Sequence, residues 1–493
     1  MFLPKLSRIS TALNLWLFAI LLIQIYGCVE PRVTSSEDLV ALSEKYQSWE
    51  NTIRPSGSPV YLGMGTYAKV LCTAVFESGR DPHEAFTNSG KLILNEAYHD
   101  MVTFDIDRDN KIARVMMGDT MVRMAQYVGD QGCLLDTDKG LNFTPTNVAS
   151  QLGEPNEVLW PMGDVIESSS AEYPQALFQE VISAAFDSQS LTTAFLVVHR
   201  GEVILEHYDH GVDMHTQLES WSMGKSLTAT LIGRLIQDGH LSLDQEAPVE
   251  EWSAAGDPRG QITVRDLLQM SSGLRFPAHR DPEVTVPIPL LAHMYIYTKG
   301  MNVFDFAVNR PLEFVPGSHG RYRNCDPLTL GYILRKTVES QGENYWTWPQ
   351  RKLFDKIGIR RQLMETDLYG NFILTGFDYG TARNWARLGM LYLQDGVWNG
   401  ERLLPEGFVD FVSTPAPGWA EPVYGGMFWL NGTETMPLPT STFYMAGGGG
   451  QRTIIVPSLD LVVVRMGHSD GGAYVEKSLN KALEHLVKIL NDQ

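Results

Sequence analysis

The chain has 493 residues, which is enough for two domains or for one large domain with an appendage. Its 44% hydrophobic and 20% charged residues are ordinary for a globular protein. A formal net charge of -19 at pH 7 argues against nucleic-acid binding and against adhesion to anionic lipid surfaces.

Residues 1–27 have the pattern of a targeting segment. Two basic residues, Lys5 and Arg8, precede an apolar run over residues 13–26 that is short for a membrane span and typical of a signal peptide. The segment ends in Gly27-Cys28, and a small residue followed by cysteine resembles a bacterial lipobox. That resemblance implies cleavage before Cys28 and lipidation of Cys28. Because Val29 follows instead of aspartate, it implies a lipid anchor at the periplasmic face of the outer membrane. A plain signal peptide and an uncleaved anchor are the alternatives.

Residues 28–58 are predicted to be a polar tether with a little helix over residues 36–50. Residues 59–170 form a predicted N-terminal extension with mixed strand and helix signals. These signals are an alternating run at residues 101–107, typical of a strand, and a helical periodicity at residues 121–127. The extension contains no recognisable site chemistry.

Three cysteines follow Cys28: Cys72, Cys133 and Cys325. In an oxidising compartment two of them are expected to form a disulfide, and three pairings are possible. Cys72 and Cys133 both lie in the N-terminal third, so we predict that they pair and that Cys325 is free.

The remaining residues, 171–493, begin and end with strand signals. A hairpin is predicted over residues 194–208, with its turn at Arg200-Gly201, and two strands over residues 452–465. Between them, helices are predicted from residue 222, at residues 262–270 (capped by Thr263), 326–340 and 382–394, and an apolar leucine stripe predicts a C-terminal helix. Residues 276–310 have several prolines and little periodicity, which predicts a long surface excursion. The pattern indicates an α/β (α+β) fold whose first and last strands pair in one sheet covered by helices, with a helical insert.

A serine and a lysine lie three residues apart at the start of the first of these helices. Ser222 and Lys225 would share a face of the helix. A lysine whose pKa is lowered by burial can take the proton of the serine, and the helix N-terminus offers free N–H groups. An ordinary helix cap is the simpler interpretation of this common spacing. A P-loop is excluded, because Glu219 stands where that motif needs a glycine.

Two later motifs support the nucleophile. Tyr322 and Asn324 form a Tyr-x-Asn motif directly before a helix, where a tyrosine can relay a proton to a leaving group and an amide can orient Lys225 and bind a substrate carbonyl. Four consecutive glycines, Gly447 to Gly450, precede a strand and Gln451, so one of their N–H groups can be an oxyanion donor.

In this order, the three motifs resemble those of the superfamily of serine β-lactamases, penicillin-binding proteins and related esterases. Residues 257–273 and 380–393 are also similar to segments of that group, and the Ala-Gly-x-Gly-Gly-Gln pattern is most similar to its branch of esterases and nylon-oligomer (6-aminohexanoate) hydrolases. The resemblance covers about residues 180 to 490. It implies a β-lactamase/transpeptidase-like fold, in which helices and a helical subdomain flank an antiparallel sheet.

The resemblance also implies a role for each matching residue. Ser222 would be the nucleophile, Lys225 its base and Tyr322 the proton relay, with Tyr322 or Lys225 the base for deacylation. The N–H groups of Ser222 and Gly448 would form the oxyanion hole beside Gly447. Asn324 matches a position that many esterases of this branch replace.

The third motif departs from the β-lactamase pattern. Met445 and Ala446 stand where that pattern has a lysine or histidine and a threonine, and they cannot hold a substrate carboxylate, although Arg452 or Arg323 can substitute. We therefore expect a serine hydrolase that forms an acyl-enzyme with small ester or amide substrates, without metal or cofactor. The alternatives are a β-lactamase or D-Ala-directed peptidase, and a peptidoglycan or β-lactam sensor that is acylated without turnover.

Overall fold

Residues 55–90, 94–166, 173–279, 281 and 286–492 are described by the computed structural model. The predicted signal peptide, Cys28 and the predicted tether helix lie outside these residues. No helix among the described residues is both long enough and apolar enough to cross a membrane.

The N-terminal extension consists of helices packed on a four-stranded antiparallel sheet of order β1-β2-β3-β4. Its elements are α1 (Pro59–Phe76), α2 (Pro82–Asn88), β1 (Thr103–Asp107), β2 (Ile112–Met117), β3 (Met121–Tyr127) and β4 (Cys133–Leu135). The helical periodicity expected at residues 121–127 is wrong. Strand β3 pairs with β2 from Met121 to Gln126, and burial has a period of two, since Arg123 and Ala125 are the buried members.

A six-stranded antiparallel sheet follows the extension. The apolar runs at both ends of segment 171–493 form its central strands, β5 and β15. Its order is β12-β13-β14-β15-β5-β6, so the last strand pairs with the first, as the sequence predicts. The strands of the chain after residue 171 are β5 (Thr192–His199), β6 (Glu202–Tyr208), β7 (Leu218–Glu219), β8 (Leu363–Met364), β9 (Asp378–Gly380), β10 (Val397–Trp398), β11 (Glu401–Arg402), β12 (Trp429–Leu430), β13 (Phe443–Gly447), β14 (Gln451–Val456) and β15 (Leu461–Gly467).

Helices cover both faces of this sheet. The helices described after residue 171 are α3 (Gln179–Ala185), α4 (Met223–Gln237), α5 (Val264–Leu268), α6 (Ala292–Tyr295), α7 (Val303–Val308), α8 (Cys325–Ser340), α9 (Ala382–Leu393), α10 (Phe408–Ser413) and α11 (Gly472–Asn491). The larger core joins α4, α8 and α9 to one face, and α3 and α11 pack on the other. This is the predicted fold of an antiparallel sheet flanked by helices.

Only part of residues 276–310 forms the expected surface excursion: Val286 and Ile288 are exposed, but residues 291–298 are buried. Residues 295–298 are all buried, and helix α1 covers them. Thr66 of α1 donates a hydrogen bond of 2.9 Å to the carbonyl of Tyr297, and a Cβ at Gly65 would lie 2.4 Å from the carbonyl of Thr298. The stretch is aperiodic because it is buried by a helix from the extension and not by its own sequence neighbours.

Candidate active site

Ser222 lies at the N-terminal cap of α4, with its side chain half-buried. Its hydroxyl makes no capping hydrogen bond to the helix. Instead, Lys225 Nζ donates a hydrogen bond of 2.9 Å to Ser222 Oγ. The predicted helix therefore begins at the predicted place, and the three-residue spacing brings the two side chains together on one face.

Trp221 holds the turn that presents Ser222. Its φ of 46° is in the left-handed region, which is a strained conformation for a bulky residue. The indole Nε1 donates a hydrogen bond of 2.8 Å to Ser469 Oγ, and the ring packs 5.2 Å from that of Phe377 between centroids. These contacts fix an unfavourable backbone conformation directly before the candidate nucleophile.

Lys225 is almost completely buried, with 1% of its surface exposed. Besides Ser222, its Nζ donates a hydrogen bond of 2.9 Å to the carbonyl of Thr375. Burial holds the pKa of Lys225 well below its usual value, and the nearby Asp378 acts in the opposite direction. A neutral amine 2.9 Å from a serine hydroxyl is arranged to accept its proton.

Tyr322 lies beside this pair, since Lys225 Nζ is 4.8 Å from the centroid of its ring. Its neighbours are aromatic, with centroids of Trp429 at 5.2 Å and of Tyr424 at 5.9 Å. The structure therefore brings together Ser222, Lys225 and Tyr322 from α4 and the loop before α8.

Asn324 is fully buried and is linked to Lys225 through Tyr297 and Thr375. Its Nδ2 donates hydrogen bonds to the carbonyl of His293 at 2.6 Å and to Tyr297 Oη at 2.9 Å. The Tyr297 hydroxyl in turn donates to Thr375 Oγ1 at 2.7 Å, and the Thr375 carbonyl accepts from Lys225. The sequence predicts that the Asn324 amide orients Lys225 directly. The amide instead holds Tyr297, which with Thr375 positions Lys225. Tyr297 and Thr375 carried no sequence signal, because neither lies in a motif.

The glycine run lies against the residues that lead into α4. Strand β13 ends at Gly447, where a Cβ would lie 2.0 Å from the carbonyl oxygen of Ser220. Gly449 and Gly450 have φ values of 77° and 79°, which glycine adopts without strain. The backbone of Gly448 is therefore brought to the end of α4 that carries Ser222.

Buried polar side chains hold the glycine run in place. The Gln451 amide is bonded to both backbone groups of Gly467 on β15, accepting from its N–H at 2.8 Å. Arg465, also on β15, donates a hydrogen bond of 2.6 Å to the carbonyl of Gly449. This support fixes the backbone on which an oxyanion donor depends.

The arginines considered as substitutes for the third-motif cation have different surroundings. Arg323 is buried and ion-paired with Glu313 at 2.8 Å and Asp281 at 3.5 Å, so its charge is already compensated. Arg452 is half-buried and donates a hydrogen bond of 2.9 Å to the carbonyl of Gln451, next to the glycine run.

The cysteines lie outside this constellation. Cys72 of α1 and Cys133 of β4 form a disulfide across the core of the extension. Cys325 is a free, buried thiol whose pKa is raised by burial, and its Sγ donates to Asp326 Oδ1 at 3.1 Å. A thiol with a raised pKa is a poor nucleophile.

Comparison with known proteins identifies the fold. The β-lactamase family model matches residues 176–487. The chain is 25% identical over 300 residues to a 6-aminohexanoate-dimer hydrolase from Paenarthrobacter ureafaciens, covering 56% of this chain and 73% of the relative. The solved structure of a candidate 6-aminohexanoate-dimer hydrolase from Bacillus anthracis matches with a TM-score of 0.50 and 22% identity, covering 62% of this chain and 80% of that one. A penicillin-binding protein homologue from Caulobacter crescentus matches with a TM-score of 0.49 and 17% identity, covering 64% and 98%. The chain therefore belongs to the β-lactamase family and is a serine hydrolase.

Proposed function

We propose that the chain hydrolyses small esters or amides through an acyl-enzyme on Ser222. The observation that carries this proposal is the 2.9 Å hydrogen bond between Ser222 Oγ and the buried amine of Lys225. Lys225 accepts the hydroxyl proton while Oγ attacks the acyl carbon, and the N–H groups of Ser222 and Gly448 stabilise the oxyanion. Tyr322 passes the proton to the leaving group, whose bond to the acyl carbon breaks.

Water completes the reaction in the second half-cycle. It loses a proton to Lys225 or Tyr322 as it attacks the acyl carbon, and the bond to Ser222 Oγ breaks as Oγ regains a proton. The products are a carboxylic acid and an alcohol or amine. No further reactant is required.

The surroundings of Tyr322 favour an apolar substrate, and two of the residues considered at the third motif offer no site for a carboxylate. Met445 is fully buried and Arg323 is ion-paired, so neither offers a carboxylate site. Half-buried Trp429 packs against Tyr322, and half-buried Trp419 packs against Trp429 in the same aromatic cluster. The Paenarthrobacter relative is named for hydrolysis of a small dimer, which supports a small substrate here.

Labelling with a fluorophosphonate probe tests the nucleophile. The unmodified chain is expected to take one equivalent of probe and Ser222→Ala none. Ser226→Ala is the matched control, because this serine lies on the same helix and its Oγ donates to the carbonyl of Met427. Labelling that persists in Ser222→Ala overturns the proposal.

Substrate assays distinguish the chemistry. Steady-state turnover is expected with p-nitrophenyl esters, whose chain length sets the rate, or with small amides. Turnover of a chromogenic cephalosporin at a higher kcat/KM than any ester would instead identify a β-lactamase. A burst of one product equivalent without a steady state would identify a sensor.

A further inference from the structure

Ser469, which follows β15, contacts both halves of the candidate active site. Its side chain is buried, and its Oγ accepts the hydrogen bond of 2.8 Å from the indole Nε1 of Trp221, directly before the candidate nucleophile. Its α-carbon lies against the glycine run, since a Cβ at Gly449 would be 2.7 Å from it. One buried residue therefore touches the turn that presents Ser222 and the glycine run that contains Gly448.

Two further contacts fix the position of Ser469. Its hydroxyl donates a hydrogen bond of 2.7 Å to Oε1 of Glu219, a buried residue of β7. The backbone N–H of the preceding residue, His468, donates a hydrogen bond of 3.0 Å to the carbonyl of Leu191, directly before β5. A serine hydroxyl has one proton and two lone pairs. Because Glu219 takes the proton, the Ser469 oxygen is oriented as an acceptor for the indole N–H of Trp221.

The turn at Trp221 depends on the contacts of its side chain. Its φ of 46° is unfavourable for a bulky residue, and such a conformation persists only where the surrounding structure holds it. The indole has ring contacts with Phe377, at 5.2 Å between centroids, and with Tyr297, at 6.2 Å. The hydrogen bond to Ser469 adds a directional contact, because it requires the N–H to point at Oγ. It therefore restrains the orientation of the side chain that holds the turn.

We propose that Ser469 is a positioning residue that sets the distance between the two oxyanion donors, the N–H groups of Ser222 and Gly448. The hydrogen bond to Trp221 holds the first donor, and the packing against Gly449 holds the second. Oxyanion stabilisation requires donors that are in place before the charge develops. Ser469 is buried, so it acts through these neighbours. This inference rests on the proposed function, which makes the two N–H groups an oxyanion hole.

The test compares the rate and the endpoint of fluorophosphonate labelling in the full chain, at a temperature at which circular dichroism shows every variant folded. Ser469→Ala removes the acceptor of the indole N–H. It is expected to slow labelling about 100-fold, the cost of a displacement of about 1 Å at a catalytic group. The endpoint should stay at one equivalent per chain, because Lys225 still activates Ser222. A structural role alone would lower the melting temperature or the endpoint and leave the rate unchanged.

A second substitution removes the same hydrogen bond from its other end. Trp221→Phe lacks the indole N–H and keeps an aromatic ring against Phe377, so it is expected to slow labelling by a similar factor. Because both substitutions break one bond, Ser469→Ala/Trp221→Phe should be no slower than the slower single variant, whereas independent effects would multiply. If Ser469→Ala does not fold, Trp221→Phe alone tests the bond.

A matched control separates this effect from the loss of any buried serine. Ser478 lies on α11 and is also buried, and its Oγ donates a hydrogen bond of 3.0 Å to the carbonyl of Val475. Ser478→Ala breaks a hydrogen bond in the same C-terminal part of the chain, away from Trp221 and the glycine run. It is expected to label at the wild-type rate.

The outcomes are distinct. A wild-type rate in Ser469→Ala or in Trp221→Phe overturns this inference and leaves the proposed function standing. So does a double variant whose loss is the product of the two single losses, or an equal loss in Ser478→Ala. A wild type that takes no label overturns the proposed function and this inference with it. Slow single variants with full endpoints, and a double variant that is no slower, support the inference.

Discussion

The α-carbon of Gly447 lies against the carbonyl oxygen of Ser220, so closely that a Cβ at position 447 would be 2.0 Å from that oxygen. Gly447→Ala is therefore expected to push the end of β13, and Gly448 with it, away from Ser222. Loss of one oxyanion donor costs about 10²–10³ in rate, so the labelling rate should fall by about that factor. Gly153→Ala is the control, since nothing lies within 4 Å of a Cβ there. Equal rates for the two variants would show that this contact has no catalytic consequence.

Lys225 is expected to lower stability while it provides activity. Its pKa is lowered in the folded chain, so between that lowered pKa and about pH 10.4 the unfolded chain binds one proton more than the folded chain. The contribution of Lys225 to the free energy of unfolding is therefore unfavourable at pH 7 and improves as pH rises toward 10.4. Lys225→Met should reduce kcat/KM by about 10⁴-fold and raise the melting temperature at pH 7. Thermal unfolding of both chains at pH 7 and pH 10 checks the sign, because the difference between them should shrink at the higher pH.

Tyr297→Phe tests the brace around Lys225. It removes the hydroxyl that accepts from Asn324 and donates to Thr375. The free energy of unfolding should fall by about 1–3 kcal/mol, the cost of leaving buried polar groups without partners, and labelling should slow. Tyr295→Phe is the control, since the one hydrogen bond that the Tyr295 hydroxyl makes to the described residues is long, at 3.3 Å to the carbonyl of Ser56. A stability loss confined to Tyr295→Phe would contradict the brace.

Reduction of the Cys72–Cys133 disulfide should destabilise the chain. The two residues are 61 positions apart in sequence, and closing a loop of that length stabilises a fold by about 4 kcal/mol in the chain-entropy model. Replacing both cysteines by alanine should therefore lower the melting temperature, and dithiothreitol should have no further effect on that variant. Cys325→Ala should keep the wild-type response to dithiothreitol, because Cys325 is already free.

Lipidation of Cys28 stays a prediction from the sequence, and it has a direct test. In a bacterial host, the unmodified chain should partition into detergent and carry an N-terminal diacylglyceryl mass. Cys28→Ser should be found in the aqueous phase. A wild-type chain recovered from the aqueous phase with residues 1–27 removed would identify a plain signal peptide instead.

The sequence is sufficient to predict the structure where the residues that contact each other are close in sequence. One turn of helix brings Ser222 and Lys225 together, and the turn at Arg200-Gly201 pairs the two strands of its hairpin. The pairing of the first and last strands of the sheet followed from the apolar runs at both ends of the segment.

Long-range burial could not be predicted in the same way. Part of the surface excursion predicted at residues 276–310 is buried instead, because helix α1, which lies more than two hundred positions away in sequence, contacts Tyr297. The helix predicted at residues 121–127 is wrong for a related reason: the apolar residues fit a helical period, but the segment forms strand β3 because it pairs with β2. Asp378, buried beside the first turn of α4, and Glu365, ion-paired with Lys69 of α1, carry no motif at all.

Helix α1 also determines how far the chain can be shortened from its N-terminus without exposing its core. The family match begins at residue 176, but the wall behind Lys225 is closed by a helix that begins at Pro59. A chain started at residue 173 would keep every matched motif. It would, however, expose the apolar residues that α1 covers, and Glu365 would lose Lys69, the cation that compensates its buried charge. The shortest fragment worth expressing therefore includes Lys69 and starts before Pro59, well upstream of the start of the family match at residue 176.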